Sequence, residues 1–377
     1  MKLNYKPLGE YIEPVNKLND GMEVKELLGI SNQKVFQNSH TNTIGIDLQL
    51  YRIVRTNQFA YNRATTRNGD KISIALRQGD DCIVSPSYRI FRSRTEEKLN
   101  SEYLMMWFRR PEFDRYARFK SHGSAHEFFE YDQICQVELT IPHITKQREI
   151  VKEYNVIQNR IALNQQLIQK LEETAQAIYR EWFVEGIDLE NLPEGWRIGT
   201  MNDLCEYSSK RISIEELDLD NYISTENMMQ ERGGVTVASN LPNTSNVINF
   251  KIGNILISNI RPYFKKIWLA SFNGGCSNDV LCIVPKSNIP SLYLYQNPEK
   301  DNSFEYVMAG SKGTKMPRGD KKWIMNFPAI IPSKQLLEKF NEFAASMQSN
   351  HIKKNENQKL TELKDLLLSK LATIENK

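Results

Sequence analysis

No stretch of the 377-residue chain comes near the ~18 consecutive apolar residues that a membrane-spanning helix needs, which excludes a helical membrane protein. Met1 to Pro14, MKLNYKPLGEYIEP, lacks the apolar run of a secretory leader, so a cytoplasmic chain is expected. Cysteine is sparse: Cys82, Cys135, Cys205, Cys276 and Cys282 are odd in number, widely spaced and never CxxC, which favours buried free thiols over disulfides or zinc. His122 and His126 stand four apart, but Gly123 and Ser124 between them argue against a helix presenting both, and no metal site is expected. There is no Gly-x-x-x-x-Gly-Lys-Ser/Thr loop for nucleotide phosphates and no Ser/His/Asp or Cys/His set to nominate. The chain is expected to do no chemistry of its own.

What is present is ordinary in amount and uneven in placement. The composition, 40% hydrophobic and 25% charged, is that of a globular protein, and the length suggests two or three domains. Net charge is only +3. Between Arg52 and Arg94, however, nine bases (Arg52, Arg55, Arg63, Arg67, Lys71, Arg77, Arg89, Arg92, Arg94) face three acids. Between Val307 and Trp323, Lys312, Lys315, Arg318, Lys321 and Lys322 face Asp320 alone. Such patches on a near-neutral chain suit a polyanion met by particular faces; a merely solvated surface is the competing reading.

The chain repeats itself. A Pro-ended apolar stretch runs into a long polar helix at 141–183 and again at 331–374, with Ile141-Pro142 and Ile331-Pro332 spaced by 190 residues. In the first copy Ile150, Tyr154, Ile157, Ile161, Asn164, Ile168, Leu171, Ala175, Ile178 and Trp182 step by four and three, a heptad seam in which the lone Asn164 fixes register. Thr145 is placed to cap its start. At ~1.5 Å per residue it makes a rod on the order of 55 Å long. In the second copy Leu360, Leu363, Leu367 and Leu371 form the stripe. The layout is therefore a first globule at 1–145, a helix and a Gly/Pro/acid-rich linker at 146–190, a second globule at 191–332 and a second helix at 333–377. The expected class is α+β: two α/β domains, related by a pseudo-twofold internal repeat and separated by an antiparallel two-helix coiled-coil spacer.

The globules align within the sequence. Thr56–Asn62 lies over Gly253–Asn259, with Arg63 and Arg261 following, and Gly123-Ser124 lies over Gly313-Thr314. Asn and Arg at a strand end offer donors suited to base edges, and Gly beside Ser or Thr offers backbone N–H groups and a hydroxyl suited to phosphate. Plain turn chemistry explains each Asn and Gly taken singly. The basic surroundings favour DNA. Asn62, Arg63, Arg67, Tyr88 and Arg89, with Asn259, Arg261, Lys265 and Lys266, are the candidates for base or groove contact. Gly123, Ser124, Lys312, Gly313, Thr314, Lys315 and Arg318 are the candidates for backbone contact.

Ala177-Ile178-Tyr179-Arg180-Glu181-Trp182-Phe183-Val184, Leu192-Pro193-Glu194-Gly195-Trp196, Gly313-Thr314-Lys315-Met316-Pro317-Arg318 and the two Ile-Pro ends together resemble the specificity subunit of a type I restriction–modification system. Two departures stand out: Tyr5–Tyr11 (YKPLGEY) replaces a Pro-Glu-Gly-Trp opening, and Ala125-His126-Glu127 follows Gly123-Ser124 where Lys-Met-Pro would stand. The resemblance implies two target-recognition domains, each reading one half of a split, asymmetric DNA target, with the helices setting the gap. It also implies methyltransferase subunits, two of them, that bring S-adenosylmethionine and the adenine-N6 chemistry, and a restriction subunit that adds ATP- and Mg-dependent translocation and cleavage. No cofactor is implied on this chain, which has neither Asn-Pro-Pro-Tyr nor a Gly-rich loop for S-adenosylmethionine. The competing reading is a coiled-coil adaptor without DNA, which the heptads suit equally and which salt-dependent duplex binding separates from a DNA reader.

Overall fold

The computed structural model describes residues 5–39, 45–64, 71–121, 127–296, 301–313, 315–346 and 349–373. Its contacts divide the chain into two compact units, Met1–Leu163 with Glu356–Lys377, and Asn164–Asn355.

The described residues of unit 1 form β1 (Tyr5–Pro7), β2 (Ile12–Val15), β3 (Leu28–Ile30), β4 (Phe36–Asn38), β5 (Arg52–Val54), β6 (Gln58–Asn62), β7 (Ile74–Leu76), β8 (Cys82–Val84), β9 (Tyr88–Ser93) and β10 (Glu138–Thr140). The main antiparallel sheet runs β2-β9-β6-β7, and β1 pairs with β10. β6 is buried on both faces. Phe59 and Tyr61 join the large core with Phe91 and Phe108, while Ala60 joins a smaller one with Val54, Val84 and Ile90. Phe59 and Phe91 stack at 4.9 Å and Phe108 meets Phe59 edge-on, so this core is aromatic at its centre. Three helices cover it. α1 (Ser101–Phe108) is capped by Asn100, α2 (Pro111–Lys120) has Pro111 in its first turn where no N–H is needed, and α3 (Tyr131–Cys135) carries a Glu130/Gln133 capping box.

α4 (Ile144–Phe183) follows as one 40-residue helix. It begins one residue before Thr145, because His143 Nδ1 accepts from Thr145 N and so takes the capping role expected of Thr145. Gln147, fully buried, fastens its first turn: its amide donates to Lys98 O and Pro142 O and accepts from Asn100 N. Within unit 1, Ile150 and Tyr154 of α4 pack in the core with Leu368 and Leu371, and further along Arg160 meets Glu356 at 2.7 Å. Rising numbers on α4 therefore meet falling numbers on the last helix, Ser349–Lys370, which is the antiparallel sense.

Unit 2 adds β11 (Arg197–Thr200), β12 (Cys205–Tyr207), β13 (Arg211–Ser213), β14 (Tyr222–Ile223), β15 (Asn246–Phe250), β16 (Ile255–Ser258), β17 (Ile267–Leu269), β18 (Gly274–Cys276), β19 (Val280–Pro285) and β20 (Pro328–Ile331). Its helices are α5 (Met201–Leu204), α6 (Ser291–Gln296), α7 (Asp301–Ala309), α8 (Lys321–Met325) and α9 (Lys334–Ser346). One sheet runs β12-β19-β16-β17, the same order of corresponding strands as β2-β9-β6-β7, and β11 pairs with β20 as β1 does with β10. Ser101 and Ser291, Pro111 and Asp301, Tyr131 and Lys321, and Ile144 and Lys334 open corresponding helices at a constant spacing of 190. The internal repeat is thus a repeat of fold. A second sheet, β13-β15-β18-β14, belongs to unit 2.

The helix stripes differ in detail from the heptad reading. Ile150, Tyr154, Ile161, Asn164, Ile168 and Ala175 are buried, and Ile157 and Leu171 half-buried. Past Ala175 the step becomes four and four, so Tyr179 and Phe183 enter the unit 2 core while Ile178 and Trp182 only flank it. A straight helix turns every 3.6 residues and drifts off a strict seven-residue repeat. On the last helix Leu360 and Leu367 are half-buried, and Leu371 in the 3-10 turn after it is buried, but Leu363 is 49% exposed and Leu368, at 6%, takes the inward position. Among the described residues no helix is long and apolar enough to cross a membrane.

Candidate nucleic-acid interface

In unit 2 the polypeptide beyond β16 is threaded against the loop before α8. Asn259 N donates to Asp279 O at 2.8 Å, Arg261 N to Pro317 O at 2.9 Å, and Gly319 N to Asn259 O at 3.2 Å. Lys312 and Arg318 exchange two backbone hydrogen bonds, 2.9 and 3.0 Å, which close a tight loop. Gly313 sits in that loop at φ 97°, a conformation that a side chain would strain. The sequence candidates Asn259, Arg261, Lys312, Gly313, Lys315 and Arg318 are thereby gathered on two abutting turns. Arg318 pairs with Asp279 at 3.2 Å and Lys312 with Asp320 at 3.3 Å, both on open surface. The Asp320 carboxyl is held below its ordinary range by the N–H groups of Trp323 and Lys322, which it caps, and by Lys312. Lys315 is exposed and makes no ion pair among the described residues.

Pro262–Phe264 forms a 3-10 turn between Arg261 (φ 51°) and Lys265 (φ 49°), both left-handed without being glycine. Lys266 was expected at the groove but is turned inward. Its Nζ donates to Thr225 O at 2.6 Å, burial holds its ammonium below the usual lysine range, and it lies over the Phe264 ring. It props the turn from beneath.

Unit 1 places Asn62 opposite Tyr88 in register at the ends of β6 and β9. The Asn62 side chain accepts from Ala64 N at 3.1 Å, the turn chemistry that competes with base reading. Tyr88 OH accepts from Ile30 N at 3.3 Å. Arg63 binds Glu130 at 2.8 Å and lies over Phe128, so its guanidinium is already engaged. Arg89 donates to Pro86 O, at 3.5 Å. Burial first, then Arg89 and Arg63, pull the Arg52 guanidinium below its ordinary value, so both of those cations lie within electrostatic range of Arg52. Part of the basic count at 52–94 is met by acids, most of them outside the stretch. Arg77 pairs with Glu26, Arg92 and Arg94 with Glu13, and Arg55 with Asp81. Arg67, Gly123, Ser124 and Thr314 lie outside the described residues.

Burial pushes the Cys82 and Cys282 thiols up to about 11 and Cys205 up to about 12, the signature of packed rather than reactive cysteines. No group of His, Cys, Asp and Glu suited to a metal occurs among the described residues. Sequence reasoning passed over Tyr263 and Met316, both exposed on the unit 2 turns. The signal for Tyr263 was present in Arg-Pro-Tyr-Phe-Lys-Lys, an aromatic pair between cations.

No protein-family model matches the chain. Over 158 residues, 41% of its length, it is 22% identical to the type I restriction enzyme HindI specificity subunit of Haemophilus influenzae, and the match spans 34% of that relative. The S subunit of a type I restriction–modification system from M. genitalium superimposes on 100% of this chain and 99% of its own with TM-score 0.66 at 14% identity. The HsdS subunit of Thermoanaerobacter tengcongensis aligns over 98% of this chain and 96% of its own at TM-score 0.37 and 16% identity. The strand and helix order repeated in the two units, together with the full-length superposition on the M. genitalium subunit, gives this chain the fold of a type I restriction–modification specificity subunit.

Proposed function

We propose that this chain is the non-catalytic, DNA-reading subunit of a type I restriction–modification complex. Each unit reads one half of a bipartite, asymmetric target, and the long helices set the distance between the halves. The observation that carries the reading is the pair of abutting turns in unit 2, which gather Arg261, Lys265, Lys312, Lys315 and Arg318 beside Asn259 and Gly313. In this assignment Arg261 and Asn259 face base edges, and Gly313, Lys315 and Arg318 face phosphate. In unit 1, Arg89 and Arg52 take the larger part, with Arg63 released from Glu130 only on binding. Methyltransferase subunits would supply S-adenosylmethionine and the adenine-N6 transfer, and a restriction subunit the ATP and Mg chemistry. Val156, Leu163 and Leu167, exposed on one face of α4, are proposed to lie under the methyltransferase partners.

Duplex binding by the full chain, alone and with methyltransferase subunits, tests the reading. With roughly four phosphate contacts, affinity should fall about a hundredfold between ~50 and ~200 mM salt, following a log–log slope of about −3.6. A flat salt response would point to the protein adaptor instead. Lys315→Ala should weaken all duplexes alike and reduce the slope by about one. A changed base preference would show that its assignment to phosphate is wrong.

A further inference from the structure

The turn at Pro262–Phe264 is built at a conformational cost. Non-glycine residues seldom take the left-handed region, and one that does is strained and persists only where its surroundings enforce it. Arg261 and Lys265 do so on either side of this turn. Glu231 (φ 50°) and Arg232 (φ 59°) do so in the loop beside it. That neighbouring loop holds the turn in place: Glu231 N donates to Phe264 O at 3.0 Å and Arg232 N to Lys265 O at 3.1 Å. Arg261 N is fixed to Pro317 O, Pro262 is buried, and Lys266 braces the underside. Restraint therefore comes from two separate segments, the loop 225–232 and the turn at Pro317. What it presents is Tyr263, 45% exposed, its ring against Phe264 at 4.6 Å and cations two residues before and two residues after it.

A rigid exposed ring bracketed by cations has a specific use on a duplex. The ring stacks on, or enters beside, a base, while the cations neutralise flanking phosphates and hold it there. We propose that Tyr263 is a stacking wedge that reads a deformable base step within the unit 2 half-site. This rests on the DNA-reading role proposed above and adds to it a residue whose contribution to specificity comes from opening a step rather than from hydrogen bonds to base edges. Pyrimidine–purine steps open most easily, so TA or CA/TG is expected at that position.

The test uses the full chain with methyltransferase subunits and duplexes selected from a randomised library. Tyr263→Ala should weaken the selected duplex by roughly ten- to hundredfold, and Tyr263→Phe, which keeps the ring, by no more than about twofold. With 2-aminopurine placed in turn at each position of the half-site, one step should brighten on binding wild type and stay dark with Tyr263→Ala. If wild type binds but no position brightens, or if Tyr263→Ala binds within about twofold, the wedge is overturned while DNA reading stands. If Tyr263→Phe falls as far as Tyr263→Ala, the hydroxyl rather than stacking is what matters, and the wedge is again overturned. If wild type binds no duplex with salt dependence, the DNA-reading role itself has failed.

Discussion

Replacing Phe340 with alanine is expected to cost unit 2 about 3–5 kcal/mol, enough to exhaust much of the stability of an ordinary domain. Phe340 is fully buried, and its ring is met by Phe183 at 5.0 Å, Phe343 at 5.9 Å, Trp182 at 6.1 Å and Tyr179 at 6.5 Å. Each such pair adds about 0.5–1.5 kcal/mol beyond the area it buries. The rings come from the end of α4 and from α9, so their cluster is where both helices are fastened to unit 2. Truncation would leave a cavity the size of a benzene ring among side chains too interlocked to collapse into it. Urea unfolding followed by tryptophan fluorescence should show a clearly lowered midpoint, and Phe343→Ala, partly buried, a smaller change. A loss below about 1 kcal/mol for Phe340→Ala would mean that the cluster does not anchor the helix ends.

The second large effect concerns a lysine at a hairpin turn. Lys34, left-handed at φ 63° between β3 and β4, would ordinarily point to water. Instead it is buried. Its Nζ lies 2.8 Å from Asp114, also bonds Phe108 O, and sits over the Phe113 ring. Asp114 in turn accepts from Ile72 N at 3.2 Å. Lys34→Met would strand a buried carboxylate, and about 3–5 kcal/mol of stability should be lost. Lys34→Met with Asp114→Leu should recover most of it, less the roughly 1–3 kcal/mol of an unpartnered Ile72 N–H. Burial outweighs the pull of Asp114 and holds the Lys34 ammonium below its ordinary value. The unfolded chain then binds this proton more readily than the folded one, so Lys34 makes stability climb as pH rises through the interval just under ~10.4. Below that interval both states are protonated and the contribution is flat. The double variant should lose this alkaline rise, and equal slopes in the two proteins would refute the assignment.

Periodicity made α4 visible because one amphipathic stripe must meet one partner along its whole length, and repetition at 190 residues is the spacing that the helices open on. The deviations arise where tertiary packing decides. Leu363 and Leu368 are equally good leucines on a stripe, and the core beneath, which Leu368 enters beside Leu371, selects Leu368. Charge was read less well. Arg63, Arg77 and Arg92 are met by Glu130, Glu26 and Glu13, up to 79 residues away, and a window sliding along the chain does not see such partners. The unit 2 site was legible in its cations and illegible in its backbone, since nothing in Arg-Pro-Tyr-Phe-Lys announces two left-handed residues. Nor could a lysine between Gln33 and Val35 announce its own burial.

Unit 1 takes Leu368 and Leu371 from residues encoded after unit 2, whose own residues run only to Asn355. On the ribosome the half encoded second therefore possesses all of its parts first. The half encoded first waits with Ile150 and Tyr154 uncovered until the last helix emerges, an interval in which exposed apolar surface invites chaperones or premature association.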